Sequence, residues 1–290
     1  MTAYLANLAT LAAIFGILAA TLNVAVGYAG IFSVAHAVFF GLGAYAGAQL
    51  ALLVVPDALL AMVVAALVAG GLSLCLALPA LRVRGEYFVA ASLGLQMMAT
   101  TLFTEAKGLT GGMGGLVGIP RPMILGVEVP TLALALTALV LILLATWLMA
   151  RGSFGRTLRA IRDAESAAEA LGKNINAAKA LAVAFACAGA GVAGALFALH
   201  MSFVNVESFT LDQSVLIMAM VIVGGTGTLW GPLLGAVLLL SLPAGLSFLP
   251  FIPPTEIGAV QQILYGAAMT LLMIFRPAGL LGDMRTGRKA

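Results

Sequence analysis

Apolar residues in this chain come in long unbroken blocks rather than alternating with polar ones. A helix needs about 20 residues to cover ~30 Å of hydrocarbon at ~1.5 Å per residue. On that ruler spans are expected near 4–26, 34–55, 58–81, 88–106, 129–150, 180–201, 212–228, 230–249 and 257–275. The pattern predicts an all-α polytopic helical membrane protein of about nine spans, a single transmembrane domain over residues 1–290. The pair 212–228 and 230–249, parted by GGTGTLWGP, is where broken or re-entrant helices are the alternative.

One stretch departs from the pattern. Residues 151–179, RGSFGRTLRAIRDAESAAEALGKNINAAK, hold six basic and three acidic side chains. Read as a helix, the stretch puts Phe154, Leu158, Ile161, Ala168, Leu171 and Ile175 on one face and the charges on the other. Gly172 interrupts it, as at a helix terminus or between two short helices. The plain reading is a solvated loop; the sharper one is a surface helix laying its apolar stripe in a partner's groove.

Composition agrees with the pattern: 62% of residues are hydrophobic and 9% charged, against roughly 25% charged in a soluble domain. The net charge of +3 comes from residues flanking the spans, so it reports topology and gives no reason to expect nucleic acid. With nine spans, Arg82 and Arg84, the 151–179 loop, and Arg276, Arg285, Arg288 and Lys289 share one side. Only Lys107 and Arg121 face the other. The positive-inside rule then places the N-terminus outside and the C-terminus in the cytoplasm. The opening MTAYLANLATLAAIFG lacks the basic start of a cleavable signal and is expected to remain as a span.

Glycines cluster. Gly43 and Gly47, Gly189, Gly191 and Gly194, and Gly227, Gly231 and Gly235 recur at helical spacing, as close helix contacts in lipid require. Two stretches, GYAGIFSVAHAVFFGLGAY (27–45) and VGGTGTLWGPLLGAV (223–237), each run from a glycine-broken, hydroxyl-bearing start into a helix. Paired interruptions of this kind point to a midplane site, where irregular backbone lines a cavity. The candidate pathway residues are therefore Ser33, His36, Gln96, Gly224, Gly225, Thr226 and Gly227. For His36 alone, a histidine bonded within the core is the slightly favoured reading. A third glycine cluster, GLTGGMGGLVGIPRP (108–122), falls in the long outer loop.

No metal is expected, because no His, Cys, Asp or Glu stands at ligand spacing from His36 or His200. Cys75 and Cys187 read as small core hydrophobes. No GxSxG or HExxH arrangement supports a hydrolase, and no GxxxxGK[ST] occurs, so if the protein is driven by ATP the hydrolysing subunit is another chain.

These residues also resemble a family. GYAGIFSVAHAVFFGLGAYAGA (27–48), LRVRGEYFVAASLG (81–94), GLTGGMGGLVGIP (108–120), GRTLRAIRDAESAAEALGKNI (155–175), VGGTGTLWGPLLGA (223–236) and FRPAGLLG (275–282) are similar to branched-chain amino-acid ABC importer permeases of the LivM type. The resemblance implies a cell inner-membrane subunit that imports branched-chain or other hydrophobic amino acids. A second, related permease chain, two cytoplasmic ATPase subunits and an extracytoplasmic binding protein would complete the importer. No cofactor is expected in this chain, with ATP and Mg²⁺ held by the ATPase subunits. Urea and short-amide importers use similar permeases, so that substrate class is the alternative.

By the same resemblance, 151–179 is the ATPase coupling loop, with Leu158, Arg159, Ile161, Arg162, Asp163, Glu165, Glu169 and Gly172 as its candidate contacts. The chain departs from the broader importer signature. Glu165-Ser166-Ala167 precedes Gly172 by one residue more than the Glu-Ala-Ala triplet does, and no Leu-Pro follows. A proton-coupled secondary transporter using His36 is the rival from a different class.

Overall fold

A computed structural model describes residues 2–54, 56–80, 86–124, 126–246, 257–275 and 279–282. Helices dominate it, as the apolar blocks require. They are α1 (Thr2–Asn23), α2 (His36–Leu53), α3 (Ala58–Ala80), α4 (Glu86–Glu105), α5 (Lys107–Thr110), α6 (Thr131–Arg151), α7 (Ser153–Asp163), α8 (Glu165–Ala170), α9 (Ile175–Met201), α10 (Leu211–Gly224), α11 (Gly231–Leu246) and α12 (Ile257–Phe275). The strands are two-residue pairs in the loops: β1 (Leu116–Val117) with β4 (Phe203–Val204), and β2 (Met123–Ile124) with β3 (Val127–Glu128).

Among the described residues six helices are long and apolar enough to cross a membrane: α1 with its extension to Tyr28, α2, α3, α4, α6 and α9. Within the span expected at 212–228 lies the short helix α10, of 14 residues, which at ~1.5 Å per residue reaches only ~21 Å. For the span expected at 230–249, α11 is described from Gly231 to Leu246, and residues 247–249 lie outside the described residues. The arginines at 82, 84, 276, 285 and 288 and the lysine at 289, on which much of the expected orientation rests, lie outside the described residues.

Helix α1 is the centre of the bundle, packed by α6, α9, α10 and α11. Beside it, α9 is sandwiched between α2 and α3. Both contacts of that sandwich depend on glycine. A Cβ on Gly194 would run into the backbone of Phe40 and Ala44 in α2, and one on Gly191 into the backbone of Ala65 in α3. Burying apolar side chains against apolar lipid gains little, so this backbone approach supplies the packing energy. The aromatic rings of Phe40, Tyr45, Phe103, Phe197 and Phe209 fill the space beyond, at centroid spacings of 5.1 to 6.4 Å.

The ends of the bundle differ. At one end α6 stops, α9 starts, and α7 and α8 lie between them. At the other, His200 Nε2 meets Asn7 Oδ1 at 2.6 Å, and Gln49 donates to Leu109 O at 2.6 Å. There the glycine-rich loop folds back on the bundle: Thr110 donates to Phe103 O, and β1 pairs with β4.

The substitution Gly194→Leu should destabilise the purified protein by about 3 kcal/mol or more, because backbone cannot yield as a side chain does. Gly71→Leu, where nothing lies within 4 Å, should leave the thermal unfolding midpoint nearly unchanged.

Candidate functional site

The charged loop is built first by its turns. Extended backbone at Gly152 lets the chain leave α6, and Gly155 then passes so close to the Ala150 backbone that a Cβ would not fit. Leu158 and Ile161 are consequently buried, at 0% and 2% exposure, and Ala168 and Ile175 join them in this chain's own core. The expected apolar stripe is thus used to seat the loop on the bundle and is not free for a partner's groove. Leu171 is the exception: it stands 78% exposed at the tip of α8. Gly172, at φ +74°, ends α8 there; its N–H donates to Glu169 O and that of Lys173 to Ala168 O.

Two arginines of α7 also turn inward. Arg159 donates to Ala150 O at 2.5 Å and to Gly155 O at 3.3 Å. Arg162 donates from Nη1 to Gly27 O at 2.5 Å and stands 3.2 Å from Asp163. Asp163, Glu165, Glu169 and Gly172 face outward, with Glu165 held by Lys179 at 2.8 Å.

Gly27 belongs to the first of three interruptions in the membrane helices. Helix α1 ends in a π turn, Val24–Tyr28, in which Ala29 N–H donates back to Val24 O. Gly30, at φ +70°, then turns the chain, which is not helical again until His36. The second interruption follows α10, where Gly225 and Gly227 take φ of 121° and 75°. Asn23 joins the two: Gly227 N–H donates to Asn23 Oδ1 at 2.8 Å, and Asn23 Nδ2 donates to Thr228 O at 2.7 Å. Gly27 lies against Gly227 so closely that a Cβ on it would run into Gly227 N. The N–H groups of Leu280 and Leu281 close the end of α10 by donating to Val223 O and Gly224 O.

The third interruption precedes α10, whose start at Leu211 agrees with the expected 212 but packs inside the bundle, which the pattern did not show. After β4 the chain dips inward, so that Phe209 O accepts from Gln96, near the middle of α4, at 2.8 Å. Ser214 donates to Gln96 Oε1 and accepts from Ala37 N–H at 2.9 Å. The first turns of α2 and α10 therefore meet inside the bundle. Gln96, expected in a pathway, is buried with both ends of its amide engaged.

Ser33 and His36 do line a cavity, of about 90 Å³, together with apolar groups of α1, α4 and α9. His36 Nε2 lies 3.4 Å from Thr21 Oγ1. Gly224, Gly225, Thr226 and Gly227 do not line this cavity; they form the break tied to Asn23. Among the described residues no group of His, Cys, Asp and Glu could hold a metal ion.

A more polar opening lies between α10 and α12. This cleft, of about 410 Å³, is lined in part by Asp212, Gln213, Gln261, Gln262 and Tyr265. Asp212 is in the first turn of α10, two residues from Ser214, and is exposed to the cleft. An ionisable side chain on an otherwise apolar helix is a candidate for contact with a solute.

Comparison with known proteins decides the family. The model of the branched-chain amino acid transport system permease component matches residues 4–275. The chain belongs to that family of ABC transporter permeases. This permease is 30% identical to the high-affinity branched-chain amino acid transport system permease protein LivM of Escherichia coli K12 over 302 residues, 95% of this chain and 69% of that protein. LivM of Salmonella typhimurium is similar at the same identity. The autoinducer 2 import system permease protein LsrC of Enterobacter sp. strain 638 is 32% identical over 161 residues, 54% of the permease and 46% of that protein. No solved structure matches. The permease is thus a multi-pass membrane component rather than an enzyme.

Replacing Asn23 by Leu should remove both bonds to the second interruption and leave Gly227 N–H unpaired. A loss of about 1–3 kcal/mol is expected for such a group, read as a lower unfolding midpoint of the purified permease.

Proposed function

We propose that this permease carries branched-chain or other hydrophobic amino acids across the membrane as one membrane subunit of an ATP-driven importer. A second permease chain completes the conduit, two ATPase subunits drive it, and an extracytoplasmic binding protein delivers the solute. The end carrying α7 and α8 faces the cytoplasm, with the N-terminus outside. The observation that carries this reading is the Arg162–Gly27 bond. It fastens the most charged surface of the chain to the interrupted helices, so a push on α7 is felt by the backbone at Gly27, Asn23 and Gly227.

The ATPase contact lies on the outward side of the loop: Leu171 as the apolar tip, with Asp163, Glu165, Glu169 and Gly172 around it. Leu158, Ile161 and Arg162 transmit from within rather than touch the partner. An amino acid presents a carboxylate, an ammonium and an aliphatic side chain. In the cleft, Asp212 pairs with the ammonium, and the open N–H groups of the first α10 turn suit the carboxylate. Ser33 and His36 border the neighbouring apolar cavity. ATP and Mg²⁺ are bound by the partner subunits, not here.

Reconstituted alone in sealed vesicles, the permease should accumulate nothing with or without ATP. Uptake by the lone chain that His36→Gln abolishes would transfer the function to proton coupling. In the assembled importer, Asp212→Asn should lower uptake at least tenfold while the subunits still co-purify. Leu171→Glu should do the reverse, weakening ATPase co-purification while the permease stays folded. Full uptake by Asp212→Asn would remove the cleft from the pathway.

A further inference from the structure

A recess of about 330 Å³ opens at the α7 end of the bundle, lined in part by Tyr28, Trp147, Arg151, Arg159 and Trp230. We infer that it binds the phosphate of an anionic phospholipid. Among the described residues its charge has no acidic partner: the ion pairs there are Arg162–Asp163 and Lys179–Glu165, and no described carboxylate lines the recess.

The two guanidinium groups are also held in place. That of Arg151 sits 4.3 Å from the centre of the Trp147 ring, and that of Arg159 sits 5.9 Å from that of Tyr28. A guanidinium laid over an aromatic face keeps its in-plane N–H donors free for phosphate oxygens. Arg159 uses Nε and Nη2 on backbone carbonyls of Gly155 and Ala150, which fixes it and leaves Nη1. Arg151 uses none on an acceptor within hydrogen-bond reach among the described residues.

The surroundings select a lipid over a soluble anion. Tryptophan and tyrosine concentrate where headgroups meet acyl chains. Trp147 belongs to α6, and Trp230, itself 60% exposed, immediately precedes α11. Both helices continue away from the recess with exposed apolar side chains, Leu144 and Leu148 on one, Leu234 and Leu238 on the other. A phospholipid places its phosphate between the arginines and its chains on those leucines; a free ion gains only the first contact. The proposal rests on the transport reading solely for which leaflet supplies the lipid.

The chain holds two tryptophans, both in the recess, so its intrinsic fluorescence reports on this place alone. The full chain is reconstituted in phosphatidylcholine vesicles with a fixed minor fraction of acyl-brominated phosphatidylglycerol or acyl-brominated phosphatidylcholine. Quenching should favour phosphatidylglycerol by roughly fivefold, the size expected of one basic side chain at an anionic headgroup. Arg151→Gln should erase most of that preference while quenching by the brominated phosphatidylcholine stays unchanged, which shows that the fold survives. Lys179→Gln, outside the recess, should retain it. Equal quenching by the two lipids, or a preference that survives Arg151→Gln, overturns the proposal. So does a preference abolished by inorganic phosphate, which would assign the recess to a soluble anion. The readout needs neither partner subunits nor transport, so its failure is separable from failure of the transport reading.

Discussion

Lipid offers no hydrogen bonds, so every backbone N–H and C=O freed by a broken membrane helix must find a partner inside the protein. That requirement organises this chain. Helix α1 ends in a π turn, α2 starts after an extended segment, and α10 starts inside the bundle and ends at two glycines with positive φ. Among the described residues the side chains that meet these needs include Asn23, Ser92, Gln96, Arg162 and Ser214. Each sits where one of the interruptions would otherwise leave a polar group facing hydrocarbon. The C-terminal Leu280 and Leu281 do the same for α10 with their own backbone. The polar residues of the spans are thus first the consequence of irregular backbone, and only some remain free to meet a solute.

This explains why the chain can be both broken and firmly packed. The sandwich of α9 between α2 and α3 is uninterrupted and closed by glycine contacts, whereas the breaks gather around α1, α10 and α11. A stiff half and a jointed half lie side by side. The charged loop is seated on both, through Arg162 to Gly27 and through Glu165 to Lys179 of α9.

The helical membrane architecture was legible because apolar runs near bilayer length have one good solution. Glycine contacts at Gly43, Gly191 and Gly194 were legible from spacing alone, and so were the breaks at 27–35 and 225–230. Three things were not. That the start of α10 packs inside the bundle was hidden, because residues 206–210, VESFT, carry no glycine or proline to mark where the chain dips inward. Asn23 could be seen as polar, but its partners stand 204 and 205 residues away. The apolar stripe of 151–179 showed that the loop buries one face, and not against which surface. Periodicity names a buried face without naming its neighbour.

The central position of α1 has a consequence for how the protein is made. This helix leaves the ribosome before its neighbours: α9, α10 and α11, which pack on it, arrive more than a hundred residues later. At ~5–20 residues per second it waits roughly 10–40 s for Gly227 and Thr228 to be synthesised. Its apolar length tolerates that delay in the bilayer, but Asn23 must stay hydrated or borrow a temporary partner until they appear. Assembly around α1 is therefore completed from its C-terminal side, by helices made long after it.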